Sequence, residues 1–346
     1  SKILILSVLD TAIGANVGLE LQMPLYNQTL YTSISIAEIV DEMSRLSYEK
    51  AREDLILQIS KMYYLGQVTA EQIALIKANI TRLEELRDIT QAFFDNGMAM
   101  EVDLKRVNIN LENLKVQYDN AQAMMTQQLN MLKYIMDYPA EKEIGLLPVN
   151  TDSIATVALT GLSENLYELQ LLQSQVQLAE RQKRLISNGY IPSLNLTGNW
   201  RFAAYTDEAY HWFHSGPSNH WFRSYGVGLT LRIPIFDGLD KKYKIRKAMI
   251  DIEMMKLSQL DIRKNLHTQY LNAVNDLMNN QRNFKKQKDN YLLAEEVYAV
   301  TTDRYREGIT SMTEVLQDGM RMSEAQNNYI SAHYNYRVTN LMLLKL

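Results

Sequence analysis

The chain has 346 residues, no cysteine and a formal net charge of −4. Without cysteine it can form neither disulfides nor thiolate metal sites, and it has no cysteine nucleophile. The mildly acidic balance leaves no basic field for nucleic acid, and only 6 prolines and 14 glycines interrupt the chain, which favours long helices.

The first predicted element is a β-strand over residues 16–26, in which apolar residues occupy every second position. This two-residue period gives a strand one apolar face and one polar face. The apolar positions are Val17, Leu19, Leu21, Met23 and Leu25.

A long helix is predicted over residues 34–94, because this run contains no proline and a single glycine. At 1.5 Å per residue it would span roughly 90–100 Å, which predicts an extended helical structure rather than a globular one. Gly97 then favours a left-handed helix stop, and a return helix is predicted over residues 101–138. Residues 140–160 include Pro148 and lack periodicity, so they are predicted to form a linker.

The second half of the chain has a similar order of elements. Two of its strands alternate apolar and polar residues as the first strand does, and a second long run without proline or glycine follows them. The predicted elements are a helix over 163–188, strands over 193–205 and 224–235, a long helix over 238–306, a turn near Gly308 and a helix over 312–345.

Two pairs of matching segments indicate an internal duplication. Residues 17–27 match residues 227–237, and residues 94–97 match residues 305–308 at nearly the same offset. In both turns an acidic residue follows the glycine six positions later. Two separate matches at one offset predict two copies of a unit that runs strand, long helix, tight turn, helix.

The two copies are predicted to occupy residues 1–139 and 161–346. The second copy opens with a helix and a strand that have no counterpart in the first. We therefore expect the first copy to be truncated at its N-terminus, without its opening helix and opening strand.

The strands suit a membrane as well as a soluble sheet. Their length of about 10 residues is what a tilted strand needs to cross a bilayer, and aromatic residues at strand ends form the girdles of membrane barrels. The same alternation also describes a soluble antiparallel sheet with one face in water. The aromatic residues between the last two strands are Tyr210, Trp212, Phe213, Trp221 and Phe222.

Membrane strands would have to be shared between subunits. Open strand edges in lipid cost several kcal/mol for each unpaired backbone group. Two strands in each complete copy give four per chain, which is fewer than the roughly 8 of the smallest barrels. Two such chains would supply about eight strands and three about twelve. Composition and spacing do not choose between these numbers.

Together with the duplication, three motifs resemble the TolC family of outer-membrane efflux factors over the whole chain. They are the Val-Gly-Leu-x-Leu-x-x-Pro segments at 17–24 and 227–234, the Ile-Pro-Ser-Leu start of a strand at 191–194, and a turn glycine followed six residues later by an acid. The resemblance implies a mainly α-helical fold with membrane β-strands. Three chains would share a twelve-strand β-barrel in the outer membrane and a long α-helical barrel in the periplasm of a Gram-negative envelope.

The resemblance also implies a function as a passive exit duct for efflux or type I secretion. A homotrimer in contact with outer-membrane lipid would work with a periplasmic adaptor protein and an inner-membrane transporter. We expect neither enzyme activity nor a cofactor, because the chain has no glycine-rich phosphate loop, Gly-x-Ser-x-Gly or His-Glu-x-x-His motif. No metal site is expected at His211, His214 and His220, since no suitably spaced carboxylate accompanies them.

The alternative is a soluble periplasmic coiled-coil adaptor or structural bundle. Its strands would form a soluble sheet, and charged residues would then be expected on both strand faces. The strands of this chain carry charged and polar residues on one face and apolar residues on the other, so the alternation favours the exit duct.

The resemblance further implies roles for residues at the two turns. In the family, acidic residues just after the second turn glycine narrow the periplasmic entrance, and a nearby tyrosine takes part in the gate. Glu314 and Asp103 also have an alternative role, because a negative charge near a helix N-terminus stabilises the helix by a few tenths to about 1 kcal/mol. The matching gate positions are Tyr305, Glu314, Asp318 and, in the first copy, Asp103, and the positions that match the adaptor-docking motif in part are Arg87, Gly97, Gly308 and Thr310.

Overall fold

The computed structural model describes residues 13–148, 161–206 and 220–346. The chain divides into two compact units. The strand unit comprises Ser1–Ser47 and Glu168–Leu260, and the tip unit comprises Tyr48–Tyr167 and Asp261–Leu346. The elements in chain order are β1 (Ile13–Tyr26), α1 (Gln28–Asp95), α2 (Glu101–Ile135), α3 (Tyr167–Asn188), β2 (Ser193–Thr206), β3 (His220–Arg232), α4 (Asp240–Arg306) and α5 (Met312–Lys345).

Helix α1 begins at Gln28 and not at residue 34, because Asn27 caps it. The side-chain oxygen of Asn27 accepts hydrogen bonds from the backbone N–H groups of Thr29 (3.1 Å) and Leu30 (3.2 Å). These donors have no partner inside the helix, so the cap satisfies them. The capping contact outweighs the low helical propensity of the threonine and isoleucine residues that follow.

Other helix ends also differ from the prediction, whereas α5 (Met312–Lys345) has the predicted bounds. Helix α2 ends at Ile135 rather than at residue 138, and Asp137 just beyond it has a positive φ of 52°. Helix α4 begins at Asp240 rather than at residue 238, because Gly238 and Leu239 have φ values of 65° and 69°, which no α-helix contains. Helix α3 begins at Tyr167 rather than at residue 163.

Some strand ends also differ from the predicted bounds. Strand β1 begins at Ile13 rather than at residue 16, and β3 ends at Arg232 rather than at residue 235. Residues 233–235 therefore lie beyond the end of β3. Residues 149–160 of the predicted linker lie outside the described residues, and so do Tyr210, His211, Trp212, Phe213 and His214.

The three strands form one antiparallel sheet in the order β1–β2–β3. Residues that lie directly opposite one another in a sheet share a face. Leu19 is paired with Trp200, and Trp200 with Tyr225, while the next residues on β1 and β2, Glu20 and Asn199, are also paired. The apolar positions of all three strands therefore lie on one face, and the polar positions lie on the other.

The apolar sheet face is exposed within the chain. Tyr225 is 86% exposed and Val227 is 83% exposed, and no described segment of the chain covers them. A contiguous apolar surface of this kind marks an interaction site in a folded protein. The residues of the apolar sheet face are Val17, Leu19, Leu21, Met23, Leu196, Trp200, Phe202, Tyr225, Val227, Leu229 and Leu231.

No helix within residues 13–148, 161–206 and 220–346 combines the length and the apolar character needed to cross a membrane.

Four helices contribute to the main core of the tip unit. Leu86 of α1, Val107 of α2 and Val315 of α5 are completely buried in it, and Tyr298 of α4 is nearly so. Burial of a leucine or valine side chain stabilises a fold by about 1.5–3 kcal/mol. This core holds the ends of the four helices together. Its buried members are Leu83, Leu86, Val107, Leu111, Tyr298, Tyr305, Met312, Val315 and Met322.

Candidate functional site at the helix turns

Two turns of closely similar geometry join the helices of the tip unit. Gly97 lies between α1 and α2 and Gly308 between α4 and α5, and both have a φ of 72°, which glycine adopts without steric cost. In the first turn the N–H of Met98 donates to the carbonyl of Phe93 at 2.8 Å, and in the second the N–H of Ile309 makes the equivalent bond at 2.9 Å. Such a bond is characteristic of the Schellman motif, which ends a helix.

Tyr305, a predicted gate residue, is buried where α4 meets α1. Its ring packs against Phe93 with 5.6 Å between ring centroids, and its hydroxyl donates to the Thr90 hydroxyl oxygen at 3.5 Å. Burial raises the pKa of Tyr305, so the phenol stays neutral at physiological pH. Within this chain Tyr305 holds the last turn of α4 against α1.

Asp318, a second predicted gate residue, is buried between α4 and α5. Its carboxylate accepts a hydrogen bond from the Thr301 hydroxyl at 2.7 Å and one from the Arg321 guanidinium at 3.1 Å. The hydrogen bond from Thr301 joins α4 to α5, whereas the one from Arg321 lies within α5. Asp318 and Tyr305 therefore lie inside the packed helices of one chain, and neither side chain points freely to solvent.

The other two acidic positions lie at helix N-termini. Glu314 is exposed on the first turn of α5, where its carboxylate accepts from the Thr310 hydroxyl and its N–H donates to the Ser311 side chain at 3.4 Å. Asp103 is on the first turn of α2 and forms an ion pair with Arg106 at 3.3 Å. Glu314 and Thr310 are thus brought together, as two neighbours on the surface of the second turn.

Arg106 connects the two turns. Besides its ion pair with Asp103, its guanidinium donates to the Thr313 hydroxyl oxygen at 3.2 Å. This contact places the first turn of α2 beside the first turn of α5. Arg87, a predicted docking residue, instead pairs with its neighbour Asp88 at 2.7 Å on the exposed side of α1.

Exposed apolar residues at the turns were not predicted as functional. Met98 is 68% exposed, Met100 65% and Ile309 60%. Methionine is common at surfaces that bind helical partners, because its side chain adapts to the partner's shape. The sequence carries a signal for them, since apolar residues beside a turn glycine have no periodic core to join.

A buried polar network in the tip unit was also missed. His333 is completely buried. Its Nε2 accepts a hydrogen bond from the Nε–H of Arg337 at 3.0 Å. The ring proton therefore lies on Nδ1, which donates to the Glu71 carboxylate at 3.1 Å. The Tyr329 hydroxyl donates to the same carboxylate at 2.9 Å. Burial alone would raise the pKa of Glu71, but these hydrogen bonds lower it below its usual value. Polar side chains therefore join α1 to α5.

Comparison with known families places the chain among bacterial envelope proteins. The family described as outer membrane efflux protein matches residues 10–136 and 159–346. Outer membrane protein TolC of Vibrio cholerae is 20% identical over 341 residues, which are 94% of this chain and 75% of that protein. The probable efflux pump outer membrane protein TtgC of Pseudomonas putida is 22% identical over 315 residues, and the match spans 62% of its length.

Solved structures show the same fold. The structure of CusC superposes with a TM-score of 0.79 at 15% identity, over 99% of this chain and 81% of that one. The outer-membrane channel OprN gives a TM-score of 0.77 at 14% identity, over 100% of this chain and 79% of that one. The open state of the Neisseria gonorrhoeae MtrE outer membrane channel gives 0.73 at 17% identity, with coverages of 100% and 79%.

Proposed function

The chain belongs to the outer membrane efflux protein family, and we propose that it is the exit duct of a tripartite efflux or type I secretion system in a Gram-negative outer membrane. In this proposal the duct is passive and catalyses no reaction. An inner-membrane transporter supplies the energy, and a periplasmic adaptor joins the transporter to the duct. The names of TolC and TtgC, an outer membrane protein and an efflux pump component, support this assignment.

The apolar sheet face is the observation that carries the proposal. Tyr225, Val227 and Leu229 are each more than half exposed, and all lie on the same face of β3. Lipid covers such a face in a membrane barrel. On the opposite face, pairs such as Glu20 with Asn199 suit a water-filled lumen.

The outer edges of the sheet support an oligomer. Strands β1 and β3 each pair with β2 on one side, and in the described part of the chain neither has a partner on its other side. In lipid each unpaired backbone group costs several kcal/mol. We therefore propose a homotrimer in which the copies join edge to edge in a shared barrel, and in which their helices form a second barrel in the periplasm. The twelve strands that the family resemblance implies would require four from each chain, one more than the three that the structure describes.

The turns are the proposed periplasmic entrance. Glu314 is exposed, so three copies around an axis would form a ring of carboxylates that favours cations. Asp103 occupies the equivalent position in the first turn. Tyr305 and Asp318 are buried, so we propose that they act on the entrance by fixing the positions of α4 and α5.

Adaptor docking is proposed at the same turns. Arg87, Gly97, Gly308 and Thr310 are the positions that match the family's docking motif in part. The exposed side chains of Met98, Met100 and Ile309 add an apolar surface that a helical partner could cover.

The alternative, a soluble periplasmic coiled-coil adaptor or structural bundle, would leave the apolar sheet face in water. At about 25 cal/mol per Å² of apolar surface, several exposed strand residues would then favour aggregation. The exposure of Val227 and Tyr225 therefore argues against it.

Three measurements on the full-length protein test the exit duct. We expect it to require detergent for purification, to have the mass of three chains after correction for bound detergent, and to conduct ions in planar bilayers. A protein that stays monodisperse without detergent and conducts no current would contradict the proposal. A conducting oligomer of another size would contradict only the trimer.

A further inference from the structure

All three strands meet the helices at the same end of the sheet. Strand β1 leads into α1 at Tyr26, β2 follows α3 at Ser193, and β3 leads towards α4 at Arg232. Tyr26 and Leu231 both pair with Leu194 at this end. We name it the helical end of the sheet. Under the proposed function it lies at the periplasmic surface of the outer membrane.

Exposed aromatic residues surround the helical end of the sheet. Tyrosine concentrates at membrane–water boundaries, because its ring suits the acyl region and its hydroxyl suits the headgroups. An aromatic belt at this end therefore marks the level at which lipid headgroups would begin. Its members, with exposed fractions, are Tyr26 (45%), Tyr31 (50%), Tyr190 (44%), Phe236 (81%) and Tyr243 (62%).

Cations without acidic partners follow this aromatic belt directly. In the first turns of α4, Lys241 pairs with Asp237 at 3.2 Å and Lys244 pairs with Asp240 at 2.7 Å. The other cations in these turns are exposed, and so is one arginine in the last turns of α3. Within the described part of the chain, no carboxylate forms an ion pair with any of them. We name these four residues the basic collar: Arg184, Lys242, Arg246 and Lys247.

The two helices that carry the basic collar lie side by side at this end. The ammonium group of Lys241, on α4, lies 5.0 Å from the ring centroid of Tyr190, which follows α3. Further along, Lys256 of α4 pairs with Glu180 of α3 at 2.8 Å. The first ten residues of α1, from Gln28 onward, carry no charge. The local charge at the helical end is therefore positive, although the whole chain carries −4.

We propose that the basic collar binds the headgroups of anionic phospholipids at the periplasmic surface of the outer membrane. This inference rests on the proposed function, because it requires the sheet to be in the membrane. A lysine or arginine near an anionic lipid surface contributes about 1 kcal/mol, which corresponds to roughly a fivefold preference for one headgroup. Lys242 and Arg246 lie four residues apart on one side of α4, so one phosphate can meet both.

Spin-labelled phospholipids measure this preference in reconstituted membranes. The full-length protein is placed in phosphatidylcholine bilayers, and the share of labelled lipid at the protein boundary is compared for phosphatidylglycerol and phosphatidylcholine. We expect roughly fivefold selectivity for phosphatidylglycerol, which added salt reduces by screening. The variant with Lys242→Gln, Arg246→Gln and Lys247→Gln should lose most of it.

A matched variant controls for net charge. Lys285→Gln, Lys286→Gln and Lys288→Gln remove three cations from α4 in the tip unit, and this variant should keep the selectivity of the native protein. The inference would be overturned if both variants lost lipid selectivity equally. It would also be overturned if the native protein inserted and conducted ions but showed no preference for phosphatidylglycerol. In either case the exit duct would stand. A triple variant that keeps its lipid selectivity but no longer binds the adaptor would also overturn it, since the collar would then be a protein contact. A chain that does not insert at all would instead contradict the proposed function.

Discussion

Glu71 is a carboxylate held in the interior of the tip unit by donors from α5. His333 and Tyr329 both donate to it, and Arg337 fixes the histidine in the tautomer that can do so. A glutamate in such a position is stabilising only while it is charged, because its partners present N–H and O–H groups to it. The network should therefore make α1–α5 packing sensitive to strong acid.

Glu71→Gln is expected to lower the free energy of unfolding by roughly 1.5–3 kcal/mol at neutral pH, the usual contribution of hydrogen bonds to a charged group. The pKa of Glu71 is lowered in the fold from a usual value of 4.5. Its contribution is thus fully present above pH 4.5 and is lost as the pH falls through the folded-state pKa. Denaturant unfolding of the detergent-solubilised protein over a range of pH measures the difference.

The control for this prediction is Glu42→Gln. Glu42 pairs with Arg45 on the exposed side of α1, and solvent screens such pairs, so the substitution should change stability little at any pH. A Glu71→Gln effect that stays constant into strong acid would show that the carboxylate's charge does not stabilise the fold.

At the scale of elements, the sequence predicted the mainly helical fold with its small sheet, and comparison with known proteins confirms the family. The alternation of apolar and polar residues identified the strands, because successive residues of a strand point to opposite faces of the sheet. The cap at Asn27 and the φ values at Gly238 and Leu239 moved helix ends, since they depend on local side-chain and backbone geometry that periodicity does not report. The His333–Glu71 contact joins residues 262 positions apart, which no local pattern reveals.

The gate and docking residues remain predictions. Glycine at the two turns could be inferred from the left-handed conformation that a helix stop needs, and Gly97 and Gly308 both have it. The burial of Tyr305 could not be inferred, because its ring and hydroxyl contact α1, where Thr90 lies 215 positions away in the chain. Asp318 contacts Thr301 on the preceding helix, and the turn glycine does not report which side chains of the two helices face each other. A motif gives the positions of such residues, but their exposure depends on the packing of neighbouring helices.

Lysine on the two faces of β3 should have opposite consequences. Val227→Lys places a charge on the apolar sheet face, where a cation at the bilayer midplane costs about 2–4 kcal/mol. Thr230→Lys places the same charge on the polar face, opposite Asn195, and should be tolerated. The yield of folded oligomer extracted from membranes measures the difference. Equal loss from both variants would contradict the assignment of the apolar face to lipid.

At the scale of the whole molecule, a passive duct selects cargo mainly through the charge and width of its entrance. One chain supplies an exposed Glu314 at the second turn, next to Thr310. It also supplies Asp103 at the first turn, where Arg106 already pairs with it. Within the described part of the chain, no lysine or arginine forms an ion pair with Glu314. A symmetric oligomer would repeat this carboxylate around its axis, so a local charge becomes a property of the channel.

Glu314→Gln is therefore expected to lower the permeability of cations relative to anions, because it removes one negative charge per subunit from the proposed entrance. The shift in reversal potential across a bilayer with a salt gradient measures this selectivity. Asp276→Asn is the matched control, because Asp276 is exposed on α4, 30 residues before the helix ends at Arg306, so the variant loses the same charge outside the turns and should keep its selectivity. If Glu314 instead serves only to stabilise the N-terminus of α5, the variant keeps its selectivity and loses no more than about 1 kcal/mol of stability. The two roles therefore predict different results from one pair of variants.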